Sequence, residues 1–371
     1  MKSLLAEILS PFPVSHLSIS SAEFPRCLDL ARLHGVEMLF YNRLKKHHGG
    51  SNPFIDAYLK KNENAFLFSV ARSMRHEVIE KDVVTALVTQ RVPACIIKGN
   101  QIARTIYEDP NCRGSADIDV LIRTTDLTDA DRIITAMGFT SENILPLPFC
   151  IGRLHHIAYS NIKNNILLEL HWDFGYPSYF NLTPDEIWKG VIGSEAKDYS
   201  LTPETMVIML LTHHFRHGFR EIKILVDILW TLYRYDSIIH WGNFTQQLIK
   251  YGLVKTTAII LTQLDDLWHL NEGPLQSFKI LREQITSLPV HPSKFLLRYF
   301  KIDIDHPSHK STDMQVAKLA LDRTSNIFYA FVKIFFPRPR DIKSFYPGSK
   351  AWMLPFNYLR FFCWRVTKWR V

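Results

Sequence analysis

The chain has 371 residues, 47% of them apolar, 12% aromatic and 22% charged, which is core-forming material for two or three packed units and excludes disorder over most of its length. Its net charge of +8 is localised: Lys333 to Val371 holds nine Lys and Arg against one acid, Asp341, so a nucleic-acid binder with a uniformly basic face is excluded and no specific nucleic acid is expected as a partner. Five scattered cysteines lack metal spacing, Glu7 interrupts the N-terminal apolar stretch, and no apolar run reaches the roughly 18 to 20 residues that cross a bilayer, so reduced thiols, a cytoplasmic location and no membrane crossing are expected.

Residues 1–91 read as helical. An apolar stripe begins at Cys27, Leu28, Leu30, Ala31 and Leu33 and continues through Val36, Leu39, Phe40 and Leu44, until Gly49 to Pro53 break it. A second helical stretch, Phe54 to Val88, leads into the segment that organises the chain. There, Ala94 to Ile97 has strand character, Lys98, Gly99 and Asn100 form a sharp turn, and Ile102, Ala103 and Ile106 recur at helical spacing. A glycine at such a junction lets backbone N–H groups face a ligand, and the opening of a helix favours phosphate oxygens, with Lys98 beside them as a point charge.

The next strand, Ala116 to Ile122, places Asp117 and Asp119 on one face, because side chains two apart in a strand point the same way. Two carboxylates side by side repel, and a hard divalent cation relieves that repulsion while sharing its remaining ligands with phosphate. Thr128 and Asp131 read as a capping pair for a helix that Gly138 stops. From Phe139 the pattern turns to short strands, with Pro146 and Pro148 at a bend, His155 to Ser160 as one strand and Ile166 to Trp172 as the next, the latter carrying Glu169 and His171 on its polar face. The implied core is a small mixed sheet with helices on one side, too small for a doubly wound dinucleotide fold, and no G-x-G-x-x-G is present.

Thr202 and Pro203 open a further helical region, with Met206, Met209, Leu210 and His213 at helix spacing, Gly218 as a stop and a helix over Glu221 to Tyr235. His213, His214 and His217 include an i, i+4 pair without the glutamate of a zinc-hydrolase motif, so core or surface histidines are the expectation. Asp227 stands in an apolar helix face, where a structural pair with a base or a contact to a histidine or nucleotide are both open. From about Phe356 the tail forms an amphipathic helix, with Tyr358, Leu359, Phe362, Val366 and Trp369 on one side and Asn357, Arg360, Arg365 and Lys368 on the other. Segment 351–371 is read either as peripheral contact with an anionic membrane or as docked on the protein's own surface.

The Lys98-Gly99 turn, the helix with Tyr107, Arg113, the D-I-D-V-L strand and the E-L-H-W run at Glu169 together resemble the uncharacterised bacterial nucleotidyltransferase family of the DNA polymerase β superfamily, over roughly Arg26 to Tyr235. Asn100 stands where a serine usually follows the glycine. The resemblance implies an α+β fold: a small mixed β-sheet nucleotidyltransferase core (92–200) between an N-terminal helical region (1–91) and a helical domain (201–297), with a basic aromatic tail (298–371) outside it. It implies a magnesium- or manganese-dependent, ATP-favouring enzyme in which Asp117, Asp119 and Glu169 are the catalytic, metal-holding acids and Glu169 can serve as general base, while Lys98, Gly99, Asn100 and Arg113 bind the nucleotide. Arg113 pairing with Asp117 is the plainer alternative. The acceptor stays open among small molecules, carbohydrates, peptides and proteins. Rival readings are a D-x-D glycosyltransferase, which leaves the Lys-Gly turn and Glu169 unexplained, and an inactive nucleotide-binding module docked at a membrane.

Overall fold

The computed structural model describes residues 4–12, 23–48, 50, 52–142, 147–151, 154–161, 165–176, 179–194, 197–306, 313–328, 339, 342, 346 and 348–368. Pro146 and Trp369 lie outside them. The N-terminal helices are α1 (Leu4–Leu9), α2 (Glu23–Leu33), α3 (Glu37–His48) and α4 (Pro53–Thr89). The apolar stripe read as continuous through Val36 is divided between α2 and α3, because Gly35 adopts φ +64°, a conformation that ends a helix and costs glycine little. Asn52 starts α4 by accepting the Phe54 N–H at 2.9 Å, with Pro53 in the first turn, where its missing N–H has no cost.

The core alternates β1 (Cys95–Ile96), α5 (Asn100–Ile106), β2 (Asp117–Leu121), α6 (Leu127–Ala136), β3 (Thr140–Ser141), α7 (Leu147–Cys150), β4 (His156–Asn161), β5 (Ile166–His171), α8 (Pro184–Lys189), β6 (Val191–Ser194) and β7 (Lys197–Leu201). Helix α6 begins at Leu127, so Thr128 lies inside its first turn and is not its cap. Gly138 stops the helix with φ +86°. All seven strands form one mixed sheet in the order β3-β4-β5-β2-β1-β7-β6. Strands β2 and β5 run parallel, as do β1 and β7, and the other neighbours are antiparallel. The arrangement is α+β, with helical regions at both ends.

The period-2 alternation divides the sheet between two environments. Ile96, Ile118, Val120, Leu168 and Leu170 pack with Val83 and Leu87 of α4 and Ile133 and Ile134 of α6. The opposite face carries the polar residues, and its apolar members, Cys95, Ile97 and Leu121, join the core of the following helices α9 (Pro203–Arg216) and α10 (Ile222–Arg234). Helices therefore flank both faces, where the pattern of the central segment alone suggested one. Thr202 caps α9 by accepting the Thr205 N–H at 3.3 Å. Helices α11 (Trp241–Tyr251), α12 (Val254–Trp268), α13 (Gln276–Thr286), α14 (Lys294–Tyr299) and α15 (Asp313–Ala317) complete the bundle, and α16 (Leu354–Lys368) lies near the C-terminus.

Candidate active site

Strands β2 and β5 lie in parallel register, with Asp119 beside Glu169 and Leu121 beside His171. Neighbouring strand residues share a face, so Asp117, Asp119, Glu169 and His171 converge on the polar side of the sheet. One oxygen from each of the three carboxylates lies within 4.8 Å of the others. Lys98 Nζ is 2.6 Å from Asp119 Oδ1. His171 Nε2 is 2.8 Å from the same oxygen and 3.0 Å from Glu169 Oε2, and His156 Nε2 is 3.5 Å from Glu169 Oε1. Ser115 Oγ donates to the carbonyl and carboxylate of Asp117 at 3.0 and 3.3 Å.

The titration behaviour follows from these contacts. Burial and the neighbouring Asp119 push the Asp117 carboxyl above its usual range. Burial pushes Asp119 the same way, yet Lys98 and the hydrogen bond from His171 hold it well below that range. For Glu169 burial is again opposed by the His171 hydrogen bond, which wins, so the group stays ionised. Burial lowers His156 to about 4, keeping its ring neutral. Among the described residues, Lys98 is the one Lys or Arg in contact with these three acids, and a divalent cation fits the surplus of carboxylates.

Gly99 shapes the turn above this face. It holds φ +59° and ψ −125°, and a Cβ there would come within 2.8 Å of Ser115 Oγ and 3.6 Å of the Asp117 carbonyl. A side chain is excluded on both counts. The Gly99 carbonyl accepts from Arg113 Nη1 at 3.3 Å, while Arg113 Nε contacts both Asp227 oxygens at 3.0 Å. Tyr107 OH donates to Asp227 Oδ1 at 2.7 Å. Arg113 thus pairs with Asp227 and not with Asp117, and braces the turn from the helical side. The Asn100 side chain turns toward α4, donating to Glu80 Oε1 at 3.0 Å and the Ser73 carbonyl at 3.3 Å. Burial raises Glu80 to about 7.

The model of a family described as an uncharacterised nucleotidyltransferase matches residues 20–269, a span that takes in every residue of this face. The chain belongs to that family. No curated protein and no solved structure matches it. Membership makes the general reaction nucleotidyl transfer and suggests a nucleoside triphosphate as substrate. Nucleotidyltransferases generally use divalent metals, and this family member has carboxylate and histidine groups able to hold one.

One site neighbour, His156, escaped the sequence. His156 lies directly opposite His171 in the β4–β5 register, and the available signal was the alternation that begins at His155-His156. Arg216, partly buried at the end of α9, stands in the field of Tyr176, Glu169 and Asp119. Among the described residues His213, His214 and His217 form no metal group. His214 is buried against Gln263 Oε1 at 3.0 Å, and His213 stacks edge-on with His217.

Proposed function

We propose that the chain transfers an NMP group from an NTP, with ATP as the favoured donor, to an acceptor hydroxyl, releasing pyrophosphate. The observation that carries this reading is the convergence of Asp117, Asp119 and Glu169 beside the Gly99 turn. These acids would hold Mg²⁺ or Mn²⁺, which neutralises triphosphate charge and acidifies the attacking hydroxyl. Glu169, kept ionised by His171, accepts the hydroxyl proton. Lys98 exchanges its contact with Asp119 for a phosphate oxygen when the nucleotide arrives. Arg113 fixes the Gly99 carbonyl and hence the direction of the turn's N–H groups toward the phosphates, while Asn100 anchors the turn to α4. Small molecules, carbohydrates, peptides and proteins are the acceptor classes to screen.

The test incubates the full chain with each labelled NTP and Mg²⁺ against a panel of such acceptors. Label on an acceptor or on the protein, with pyrophosphate released, supports transfer. Consumption of a UDP-sugar points to glycosyl transfer, and binding without turnover to a nucleotide-binding module; either result overturns the proposal.

We also infer that segment 351–371 touches anionic membrane surfaces. Helix α16 buries Asn357 and Phe361, whereas Trp352, Phe356 and Leu359 are 68%, 61% and 62% exposed. Asn357, expected on the polar side, is therefore inside, and apolar residues face out. The segment holds four Lys and Arg and no acid, which complements anionic headgroups. Among the described residues no helix is long and apolar enough to cross a membrane. Cosedimentation with phosphatidylserine vesicles, lost in the Trp352→Ser, Phe356→Ser variant and absent with phosphatidylcholine, is expected. Self-association without lipid binding would assign the surface to a second copy.

A further inference from the structure

We propose that His156, Glu169 and His171 form a metal site of their own, selective for a borderline transition ion such as Co²⁺ or Zn²⁺ over Mg²⁺. It lies beside the carboxylate group and shares Glu169 with it. Strands β4 and β5 build it. Their antiparallel register sets His156 opposite His171 and the small Ala158 opposite Glu169, so two imidazoles flank a carboxylate with nothing bulky across from it.

The spacings suit coordination. His171 Nε2 and His156 Nε2 stand 3.0 and 3.5 Å from the two Glu169 oxygens. Around an ion with ligand bonds of about 2.1 Å, adjacent ligands lie roughly 3.0 Å apart in an octahedron and about 3.4 Å apart in a tetrahedron. Each imidazole therefore already stands about one polyhedron edge from a Glu169 oxygen, and one ligand atom from each of the three residues lies within 4.8 Å of the others. The His155 ring packs edge-on against His156 at 4.3 Å between centroids, and His171 is buried, so neither ligand ring is free to swing away. His156 Nδ1 and His171 Nδ1 are buried with no hydrogen-bond partner, so each ring can keep a proton on Nδ1 when a cation replaces the carboxylate contacts of Nε2.

Selectivity follows from ligand chemistry. Mg²⁺ favours oxygen and retains its water, whereas imidazole suits the later divalent ions. Asp117 and Asp119 offer oxygen alone; His156 and His171 offer nitrogen beside the shared Glu169. The part this ion plays in transfer rests on the reading of the site given above, whereas its binding does not.

Titrating the chelator-stripped full chain with Co²⁺ alone tests the site. We expect visible d–d absorption of an imidazole-bound ion, persisting in excess Mg²⁺ and abolished by Zn²⁺. His156→Ala and His171→Gln should each weaken Co²⁺ binding by at least about tenfold, with circular dichroism confirming the fold. Asp117→Asn should keep the cobalt spectrum. Absence of the band, equal displacement by Mg²⁺, or an unchanged spectrum in both histidine variants overturns the site. Pyrophosphate release with Mg²⁺ is read separately, so either proposal can fall while the other stands.

Discussion

Two buried regions each pair a base with an acid, and they differ in charge balance. Between β2 and α10, Arg113 meets Asp227, and Tyr107 fills a remaining acceptor position of that carboxylate. One cation answers one anion, and Arg113 also holds the Gly99 carbonyl. On the polar face of the sheet, Lys98 meets Asp119 at a similar distance, but Asp117 and Glu169 crowd the same space with the imidazoles of His156 and His171 around them. A balanced pair holds structure together; a surplus of like charge asks for a ligand.

The largest expected effect tests the balanced side. Asp227→Ala strands a buried guanidinium and should cost about 3–5 kcal/mol in denaturant unfolding; a loss below about 1 kcal/mol would erase the contrast. Asp117→Asn tests the surplus side. It should lower pyrophosphate release about a thousandfold, the loss of several kcal/mol of transition-state stabilisation, while thermal stability holds or rises because repulsion with Asp119 is relieved. A fall in both readouts would make Asp117 a structural residue.

Gly99→Ala probes the joint between the two regions, since a Cβ would enter Ser115 from a positive-φ backbone; about 2–3 kcal/mol of stability should be lost. Glu80→Gln gives the smallest effect, visible only with pH. Burial raises the native carboxyl from 4.5 to about 7, so between those values the native state holds a proton that the unfolded state has released. Wild-type stability should therefore decline as pH rises from about 4.5 to 7, by roughly 3 kcal/mol. Unfolding at pH 5 and pH 8 should show this decline in the wild type and not in Glu80→Gln.

Local pattern made much of the architecture legible. Helix α4 follows from its apolar period after the Gly49 to Pro53 break, and α9 from Thr202-Pro203, because breakers, caps and first-turn prolines act within one turn of chain. The same holds for the orientation of Asp117 with Asp119, which the two-residue period of a strand sets by itself. Short elements were less legible. The β6–β7 hairpin gains its place by pairing with β1, and Cys95 meets Tyr199 across a separation that no local signal spans. The break at Gly35 was hidden because the apolar residues on both sides keep a helical spacing.

By itself the sequence determined which residues could carry chemistry: the glycine turn, the alternating acids of β2, and a second polar strand with Glu169 and His171. Only tertiary structure decided their partners. The β2–β5 register set Glu169 beside Asp119, the β4–β5 register brought His156 to the same carboxylate, and the packing of α10 gave Arg113 to Asp227. Those choices depend on strand register and on charge neutralisation between residues far apart in the chain, and neither leaves a periodic trace in the residues themselves.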